Sequence, residues 1–455
     1  MEKKKLSLQI INLHAAGIDV GARSHVVAVD QNKENVRSFG VYTKDHELLI
    51  SHLTDHGITS VAMESTGSYW QTLFNSLQRA GFEVILVAGS QTKNVQGRKT
   101  DVIDSIWIQK LHSLGLLSGS FLLSDVLQEL RTYYNHRLHL IEQIARYTLK
   151  MQKTLRLMNV RLDIAIRDIT GRSGITIIEA ILAGDHDPSH LASLVDIRTK
   201  RSKEEIAESL HGSWREELLF ELKACLNFYK FYNQALAECD RTIEQLLLRY
   251  TPNTPVSQEQ GKILKGYNRK KTKNAPEFNV SKVAFQYFKT DLFAIPGISH
   301  STVLCLITNI GTDIRKFPSA KAFACWLRLV PNNKISGGRI ISSRVRSGKN
   351  HIATALRHAA NSIGNQKDHD LAPFFKRIAF RKGRVAAITA TARKLAIIIW
   401  NMITKNQPYS ISEVQLNKEK YKKIKLRQIQ RNISTLQLNH DELTNLFERS
   451  SLLTY

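Results

Sequence analysis

The segment Gly97-Arg98-Lys99-Thr100-Asp101-Val102-Ile103-Asp104 decides how the N-terminal part of this chain folds. We predict a helix that starts near Thr100. A spacing of three residues then places Asp101 and Asp104 on one face of that helix. Asp101 could also simply favour a helix N-terminus, which is a common structural role for an acid.

Two upstream segments look like strands, and each has an acid at its centre. They are Gly17-Ile18-Asp19-Val20-Gly21 and Val61-Ala62-Met63-Glu64-Ser65-Thr66. Asp19 and Glu64 could cap turns, but an unpaired carboxylate between apolar strand residues is costly. With the two acids of the helix, they give four carboxylates on two strands and a helix.

Four carboxylates in this arrangement suit a pair of divalent ions, which phosphoryl-transfer sites hold about 3.5–4 Å apart. Hard oxygen ligands favour Mg²⁺ or Mn²⁺ as the cofactor. The sequence therefore predicts a nuclease-like site whose acids both bind metal and catalyse. These acids are Asp19, Glu64, Asp101 and Asp104. Arg98 and Lys99 lie beside them and could hold phosphate, or they could be solvated charges.

Residues 15–120 alternate between strands and helices. The predicted strands are Ala15–Val20, His25–Asp30, Val36–Tyr42, Ser60–Ser65 and Glu83–Val87. Helices are predicted over 45–54, over 69–80 and from residue 100. An opening hairpin, an acid on the first strand, another on the fourth and a late acidic helix match the ribonuclease-H/RuvC-like order of elements. We therefore predict an α/β RuvC/RNase H-like catalytic domain over residues 1–120.

The length and charge of the chain limit the possible classes of protein. At 455 residues it is too long for one ordinary core, so two or three domains are expected. Its 65 Lys and Arg against 40 Asp and Glu give a formal net charge of +25. This balance predicts a polyanionic partner, usually nucleic acid. The charge alone would equally suit a ribosomal protein or a protein of a membrane surface.

Cysteine usage and hydropathy indicate a cytosolic protein. The four cysteines lie far apart without a C-x-x-C pair, which is typical of reduced, packed thiols. No long apolar core follows Met1-Glu2-Lys3-Lys4-Lys5, and no run of 18 apolar residues occurs. We therefore expect no signal peptide, no membrane partner and a cytoplasmic location.

Residues 121–285 are predicted to form an α-helical coiled-coil insert followed by a basic linker. The first seam runs through Leu127, Leu130, Tyr134, Arg137, Ile141, Ile144, Thr148, Met151, Leu155, Met158 and Leu162. The second runs through Leu218, Leu222, Cys225, Tyr229, Tyr232, Leu236, Cys239, Ile243, Leu246 and Tyr250. Such helices suit a coiled coil, or an ordinary two-helix hairpin packed on its own domain. The stretch Lys262–Lys273 holds six Lys or Arg and no acid, which suits a linker or a phosphate-contacting loop.

Residues 286–410 are predicted to form a mainly α-helical domain. In it, Ile295-Pro296-Gly297-Ile298-Ser299 and a following apolar helix over 301–310 resemble a helix-hairpin-helix DNA-binding unit. Backbone N–H groups at such a helix start can hold a phosphate. The long apolar helix over 384–403 is expected in the core. Residues 411–455 form a basic tail, in which Lys418–Arg431 holds seven Lys or Arg and one Glu.

A second candidate site is the segment Pro331-Asn332-Asn333-Lys334-Ile335-Ser336-Gly337-Gly338-Arg339. A serine before two glycines is expected on a flexible, exposed loop where backbone can approach a ligand. Six Lys or Arg and no acid occur from 331 to 360, and the candidate phosphate-binding residues among them are Arg339, Arg344, Arg346, Lys349 and Arg357. They could neutralise a scissile phosphate and help ionise the Ser336 hydroxyl, a poor nucleophile unaided. The segment could also be a phosphate-contacting turn without covalent chemistry, and Ser342, Ser343 and Ser347 are rival nucleophiles.

Together these segments resemble the DEDD-type insertion-sequence transposases, a family that includes the Piv-like DNA invertases and the bridge-RNA-guided recombinases. The resemblance covers nearly the whole chain. It rests on Ala16–Val20, Met63–Gly67, Gly97–Trp107, Asp168–Gly171, Ile295–Gly297, Trp326-Leu327, Ile335–Gly338 and Ala355–Ala360. One departure is Asn309-Ile310-Gly311, where an acid is expected before the glycine.

The resemblance implies an acidic tetrad of Asp19, Glu64, Asp101 and Asp104 in a RuvC-like domain. It also implies a C-terminal transposase domain in which Ser336 attacks DNA to give a phosphoserine link. Two subunits of a dimer or tetramer would share each site on donor and target DNA, with the coiled-coil insert used for assembly. A structured noncoding guide RNA would pair with both DNAs, at the nucleoid of a bacterium or archaeon.

The sequence thus predicts an Mg²⁺-dependent insertion-sequence transposase, a site-specific DNA recombinase that needs no ATP. A RuvC-like Holliday-junction endonuclease is the alternative enzyme, and it would need the four acids but not Ser336. A non-catalytic nucleic-acid-binding scaffold would need neither. A covalent link between Ser336 and DNA distinguishes the transposase from the endonuclease.

Overall fold

The computed structural model describes residues 9–92, 100–199, 201–250, 273–366 and 370–410, with short pieces at 426–427, 429–430 and 433–435. Contacts within the chain divide it into two compact units, Met1–Leu122 and Leu123–Tyr455. The predicted further division of the second unit into insert, transposase domain and tail stays a prediction. Lys262–Lys273 lies outside the described residues apart from Lys273, and the predicted basic tail lies almost wholly outside them.

The N-terminal unit is built on a five-stranded mixed sheet. Its strands are β1 (Ala15–Val20), β2 (His25–Ala28), β3 (Arg37–Phe39), β4 (Ser60–Glu64) and β5 (Glu83–Val87). Its helices are α1 (Thr43–Asp55), α2 (Trp70–Arg79), α3 (Gly89–Thr92) and α4 (Asp101–Ser113), with a short 3₁₀ turn at Lys33–Asn35. The strand order is β3-β2-β1-β4-β5, in which β1, β4 and β5 run parallel and β2 and β3 run antiparallel to their neighbours. The mixed α/β architecture predicted for this part of the chain is confirmed.

The hydrophobic core of this unit lies on one face of the sheet. Ile18 on β1 and Met63 on β4 point into it and are fully buried. Leu49 of α1 and Leu73 of α2 pack against them. Since alternate strand residues face opposite sides, the other face is left for α4.

Three predicted strands are shorter than expected. The strand β4 ends one residue early, and polar side chains shorten β2 and β3. The carboxylate of Asp30 accepts hydrogen bonds from the backbone N–H of Asn32, at 2.8 Å, and from the side chain of Asn35. These bonds form a turn, so β2 ends at Ala28 rather than at residue 30. Similarly, Tyr42 caps α1 and its N–H donates to Asp45 at 3.0 Å, so it belongs to the helix start rather than to β3.

The second unit begins with two long helices that pack antiparallel to each other within the chain. They are α5 (Asp125–Leu157) and α10 (Glu216–Tyr250). Glu129 near the start of α5 accepts from the Tyr250 hydroxyl at 2.9 Å, and Tyr147 stacks on Phe228. The two predicted helices are therefore present as a pair in one chain. A coiled coil between subunits stays a prediction.

Two positions of the first apolar seam, Arg137 and Thr148, hold polar side chains, and specific hydrogen bonds explain both. The buried guanidinium of Arg137 pairs with the buried carboxylate of Asp240 on α10, with Nε and Oδ1 2.5 Å apart. Thr148 donates its hydroxyl to the carbonyl of Ile144 at 2.8 Å. The seam nevertheless stops earlier than predicted, because α5 ends at Leu157 and Asn159 adopts a positive φ of 61°.

Four short helices pack against one end of the long pair, where α5 ends and α10 begins. They are α6 (Leu162–Ala165), α7 (Arg172–Leu182), α8 (Pro188–Ser193) and α9 (Lys203–Ser209). Their apolar residues form one core with Met151 and Leu155 of α5 and Leu222 of α10.

The rest of the second unit is mainly helical, as predicted. Its helices are α11 (Val280–Phe288), α12 (His300–Asn309), α13 (Ala320–Trp326), α14 (His351–Asn365), α15 (Ala372–Lys382) and α16 (Arg384–Lys405). Two 3₁₀ turns lie at Leu292–Ala294 and Gly311–Lys316, and β6 (Lys334–Ser336) and β7 (Arg339–Ser342) form a hairpin.

The predicted helix-hairpin-helix element is not confirmed, and its glycine has a packing role. Gly297 has a positive φ of 76° and lies against α14, where an added Cβ would be 3.0 Å from the Ala359 carbonyl oxygen. Its neighbours Ile295 and Ile298 are fully buried. The turn thus joins α12 to the core of the unit.

Helix α16 is, within the described parts of the chain, the one helix long and apolar enough by length and composition to cross a membrane. The core helix of a soluble protein passes the same test. Here 44% of the most apolar stretch is buried inside the protein, and Leu395 and Ile399 are fully covered. These residues support the predicted core position of the helix.

Candidate functional site

The acids of β1 and β4 lie side by side at the carboxyl ends of two neighbouring strands. The parallel register pairs Ile18 with Met63, and Asp19 and Glu64 are the next residue on each strand. Because strand residues alternate between faces, both acids point away from the core that holds Ile18 and Met63. Both are half-buried.

Helix α4 covers the face to which these acids belong. Gly17 lies so close to the helix that an added Cβ would be 2.2 Å from the backbone nitrogen of Gln109. Ser60 on the same face is hydrogen-bonded to His112, with Oγ and Nε2 2.8 Å apart. The start of β4 therefore meets the end of α4, and the chain directions place the first turn of α4 towards the carboxyl ends of the strands.

That first turn contains Asp101 and Asp104, as the sequence predicts. Thr100 caps the helix by accepting the N–H of Ile103 at 3.3 Å. Asp101 is exposed and Asp104 is half-buried. Both acids are also favourable to the helix dipole at this end, so their structural role and a role as ligands are compatible.

The carboxylate of Glu64 is held from a third side by α3. The hydroxyl of Thr92 donates to its Oε2 at 2.6 Å. The indole N–H of Trp107 on α4 donates to the Thr92 carbonyl at 3.0 Å. An added Cβ on Gly89 would lie 2.4 Å from Oε1 of Glu64, so a side chain at this position would displace the Glu64 carboxylate. The sequence gives no signal for this role of Thr92. The hydrogen bond joins Thr92 to Glu64, which lies far away in the sequence, and the residues around Thr92 form no recognisable motif.

The four acids offer only carboxylate oxygens, which are the ligands that Mg²⁺ and Mn²⁺ prefer. Within the described residues, however, no three His, Cys, Asp or Glu side chains lie close enough together to hold a metal ion as they stand. The donor chemistry therefore fits a hard divalent cation, while the side chains do not form a closed set of ligands. Arg98 and Lys99 lie outside the described residues.

Ser336 lies at the tip of the hairpin in the second unit. It is the last residue of β6 and pairs with Arg339, the first residue of β7. Gly337 and Gly338 form the two-residue turn with positive φ of 54° and 75°, the conformation that type I′ turns require. The predicted flexible loop is thus a tight hairpin, although its exposed position was predicted correctly.

The basic residues predicted around Ser336 are distributed over the hairpin and the helix that follows. Arg339, Arg344, Arg346 and Lys349 are exposed, and Arg357 is half-buried on α14. Of the rival serines, Ser342 accepts the N–H of Arg344 at 3.4 Å, and the carbonyl of Ser347 accepts from Arg328. Ser336 thus differs from Ser342 in position, since it alone directly precedes the glycine turn.

The chain is similar to known transposases in both units. A family model for DEDD transposases of the IS110 type, described as a transposase, matches residues 16–160. A second, described as transposase IS116/IS110/IS902 family, matches residues 290–375. The transposase for insertion sequence element IS1111A of Coxiella burnetii (strain RSA 493 / Nine Mile phase I) is 28% identical over 120 residues. That alignment covers 26% of this chain and 33% of the relative.

These matches, together with the mixed sheet that has acids at its strand ends, place this protein in the class of transposases. The two models together cover just over half of the chain, and they agree on one family. The protein belongs to the IS110 family of DEDD transposases. Membership in this family implies dependence on a divalent metal ion.

Proposed function

We propose that this protein is a site-specific DNA recombinase that moves an insertion sequence by using the four acids and Ser336. The observation that supports this most directly is the register of β1 and β4, which sets Asp19 beside Glu64 under the acidic helix α4. Two acids from adjacent parallel strands and two from one helix turn come from three rigid elements. Rigid elements hold catalytic groups more reproducibly than loops do.

In this proposal Asp19, Glu64, Asp101 and Asp104 would hold divalent metal. A bound ion would supply charge stabilisation to the phosphate under attack. Thr92 positions the Glu64 carboxylate through its 2.6 Å hydrogen bond. Helix α4, fixed on β1 by the close approach at Gly17, holds the other two acids in place.

Ser336 is the proposed nucleophile. Its Oγ would form a bond to the scissile phosphorus, the bond from phosphorus to one deoxyribose oxygen would break, and the serine proton would leave to solvent or to the departing oxygen. The phosphoserine ester would retain the bond energy for rejoining, so no ATP is required. Arg339 pairs with Ser336 across the hairpin, and in this proposal it would neutralise the phosphate.

The proposed partners follow from family resemblance and from charge. A net charge of +25 suits a chain that holds donor DNA, target DNA and a structured guide RNA together. From the family resemblance, we propose that the acids of one subunit and the serine of another, in a dimer or tetramer, complete each site. Delegating sequence choice to base pairing is known from other RNA-guided enzymes. We place this activity in the cytoplasm, at the nucleoid.

A covalent-trapping assay tests the chemistry. Purified protein, flanking RNA and labelled donor and target DNA are incubated with Mg²⁺ and denatured, and label on the protein is measured. We expect an adduct that is lost in Ser336→Ala and in Asp101→Ala, and retained in Ser342→Ala. Cleavage without an adduct, unchanged in Ser336→Ala, would contradict the proposal and favour a Holliday-junction endonuclease. Nucleic-acid binding that survives substitution of all five residues, with no cleavage in the wild type, would favour the non-catalytic scaffold.

A further inference from the structure

A groove of about 1040 Å³ lies in the second unit, beside the base of the Ser336 hairpin. One wall is the segment that enters and leaves the hairpin, including Pro331 and Val345, which are bridged to each other. The other wall consists of α15 and α16. None of the residues on these two helices is part of the candidate sites described above.

The charge of the groove has a single sign. Six cationic residues line it, and no Asp or Glu occurs among the described residues that do so. The six are Arg344, Arg377, Arg381, Lys382, Arg393 and Lys394. Arg381 and Lys382 are exposed, so their charges are accessible to a bound molecule. A surface with this composition attracts a polyanion.

Apolar residues of the same two helices also line the groove. Ile378, Val385 and Ile397 contribute to this lining, and Phe374 supplies an aromatic ring. The Arg377 guanidinium lies 5.6 Å and the Lys394 ammonium 4.9 Å from the centre of that ring, so the ring helps to position both cations. Val385 is 80% exposed, so its side chain is accessible to a bound strand.

A lining that mixes cations with apolar and aromatic side chains fits a single nucleic-acid strand. A single strand presents unstacked bases to apolar side chains and phosphates to cations. A duplex presents phosphates but keeps its base faces stacked inside, so the apolar residues would have no counterpart. The wall residues Ser343, Arg344 and Val345 continue directly from β7, so a strand in this groove would lead to the hairpin that bears Ser336.

We infer that this groove binds a single strand of DNA and guides it to the Ser336 hairpin. The choice of DNA rests on the proposed function, in which Ser336 attacks a DNA strand. In this arrangement α15 and α16 hold the strand, while the hairpin performs the chemistry.

Equilibrium binding to the full chain tests the inference. The probe is a labelled single-stranded DNA of about 16 nucleotides, without Mg²⁺ and in a Ser336→Ala background, so that no reaction occurs. Arg377→Ala/Arg381→Ala/Lys382→Ala should weaken binding about tenfold or more. The slope of log affinity against log salt concentration should become shallower by about 2, which corresponds to about three lost phosphate contacts. The charge-matched control is Lys321→Ala/Lys376→Ala/Lys405→Ala, which removes exposed lysines of the same unit outside the groove. It should change affinity by about twofold at most.

A second variant tests whether the apolar lining of the groove contributes to binding, and it leaves the core unchanged. Val385→Glu replaces an exposed side chain, so the fold should be kept, yet it places an acid where bases would lie. We expect it also to weaken single-strand binding, and circular dichroism should show unchanged helix content.

Three outcomes would overturn the inference. The first is unchanged single-strand binding in the groove variant, and the second is an equal loss for blunt duplex DNA. The third is tighter binding of single-stranded RNA that the groove variant abolishes, which would assign the groove to RNA. Binding is measured without catalysis, so the two proposals can fail separately. A missing Ser336 adduct would refute the proposed chemistry but not the binding groove. Unchanged binding in the groove variant would refute the groove but not the chemistry.

Discussion

The two candidate sites of this protein are held in opposite ways. Asp19 and Glu64 lie at the ends of paired strands, beneath a helix that packs tightly on the sheet. Ser336 lies on a hairpin whose residues are exposed, with nothing within 4 Å of the positions where its two turn glycines would carry a Cβ. Substitutions in the core should therefore change the positions of the acids. The position of the serine should depend only on its own turn and on the surface that the hairpin docks against.

The largest effect is expected inside the second unit, away from its hairpin. Arg137→Ala would leave the Asp240 carboxylate buried and unpaired, and breaking such a pair costs about 3–5 kcal/mol. Denaturant unfolding at pH 7 measures this change. The control Arg156→Ala removes an exposed arginine from Asp163, which keeps its pair with Arg161, and should cost at most about 1 kcal/mol. Equal effects of the two substitutions would show that the helix pair does not depend on its buried charges.

A substitution at Gly17 should damage the N-terminal unit. In Gly17→Ala the new Cβ would overlap the backbone of α4, which must then move at a cost of about 3 kcal/mol. We also expect the variant to lose DNA cleavage at temperatures where it stays folded, because α4 holds Asp101 and Asp104. Full activity in a folded Gly17→Ala protein would contradict the idea that helix packing positions the acids.

Acid should weaken the N-terminal unit through His25. Burial, with a smaller contribution from the neighbouring His46, lowers the pKa of His25 from 6.5 to about 4, although Asp45 opposes the shift. The unfolded chain therefore binds more protons between these values, and stability falls as pH drops below 6.5. The expected loss at pH 5 is about 2 kcal/mol, measured by urea unfolding at pH 7 and pH 5. His25→Gln should flatten this dependence, and His14→Gln, at an exposed position, should not.

The smallest effect on stability is expected at the hairpin turn. Gly337→Ala meets no neighbouring atom but forces alanine into a positive φ, at a cost of about 1 kcal/mol. Global unfolding should change little, whereas adduct formation at Ser336 should fall because the turn sets the position of the serine. An adduct yield equal to that of the wild type would mean that the hairpin is shaped by its partner rather than by its turn.

Much of the N-terminal unit could be predicted from sequence, because its signals are local. Strand alternation gave β1 and β5 at their full lengths, and the acid spacing placed the start of α4 at Thr100. The same local patterns gave the two long helices. They could not show that the first helix breaks after Leu157, since the apolar spacing continues past it.

The features that escaped prediction depend on contacts between distant residues. The hydrogen bond from Thr92 to Glu64 links two elements, and the cations of α15 and α16 are scattered among apolar residues that look like ordinary core. Gly297 shows a role that its motif did not predict, because it allows a close approach to α14. A motif states which residue is needed at a position, but packing decides for what purpose.

The close approach at Gly17 has a consequence for judging which members of this family are functional. A survey of related genes would normally score a copy as intact when all four acids are present. A copy that keeps the acids but carries a larger residue at position 17 would pass that survey, although its acidic helix could not settle on the sheet. Such genes are expected to encode inactive proteins, so this glycine belongs with the acids in any sequence signature of an active element.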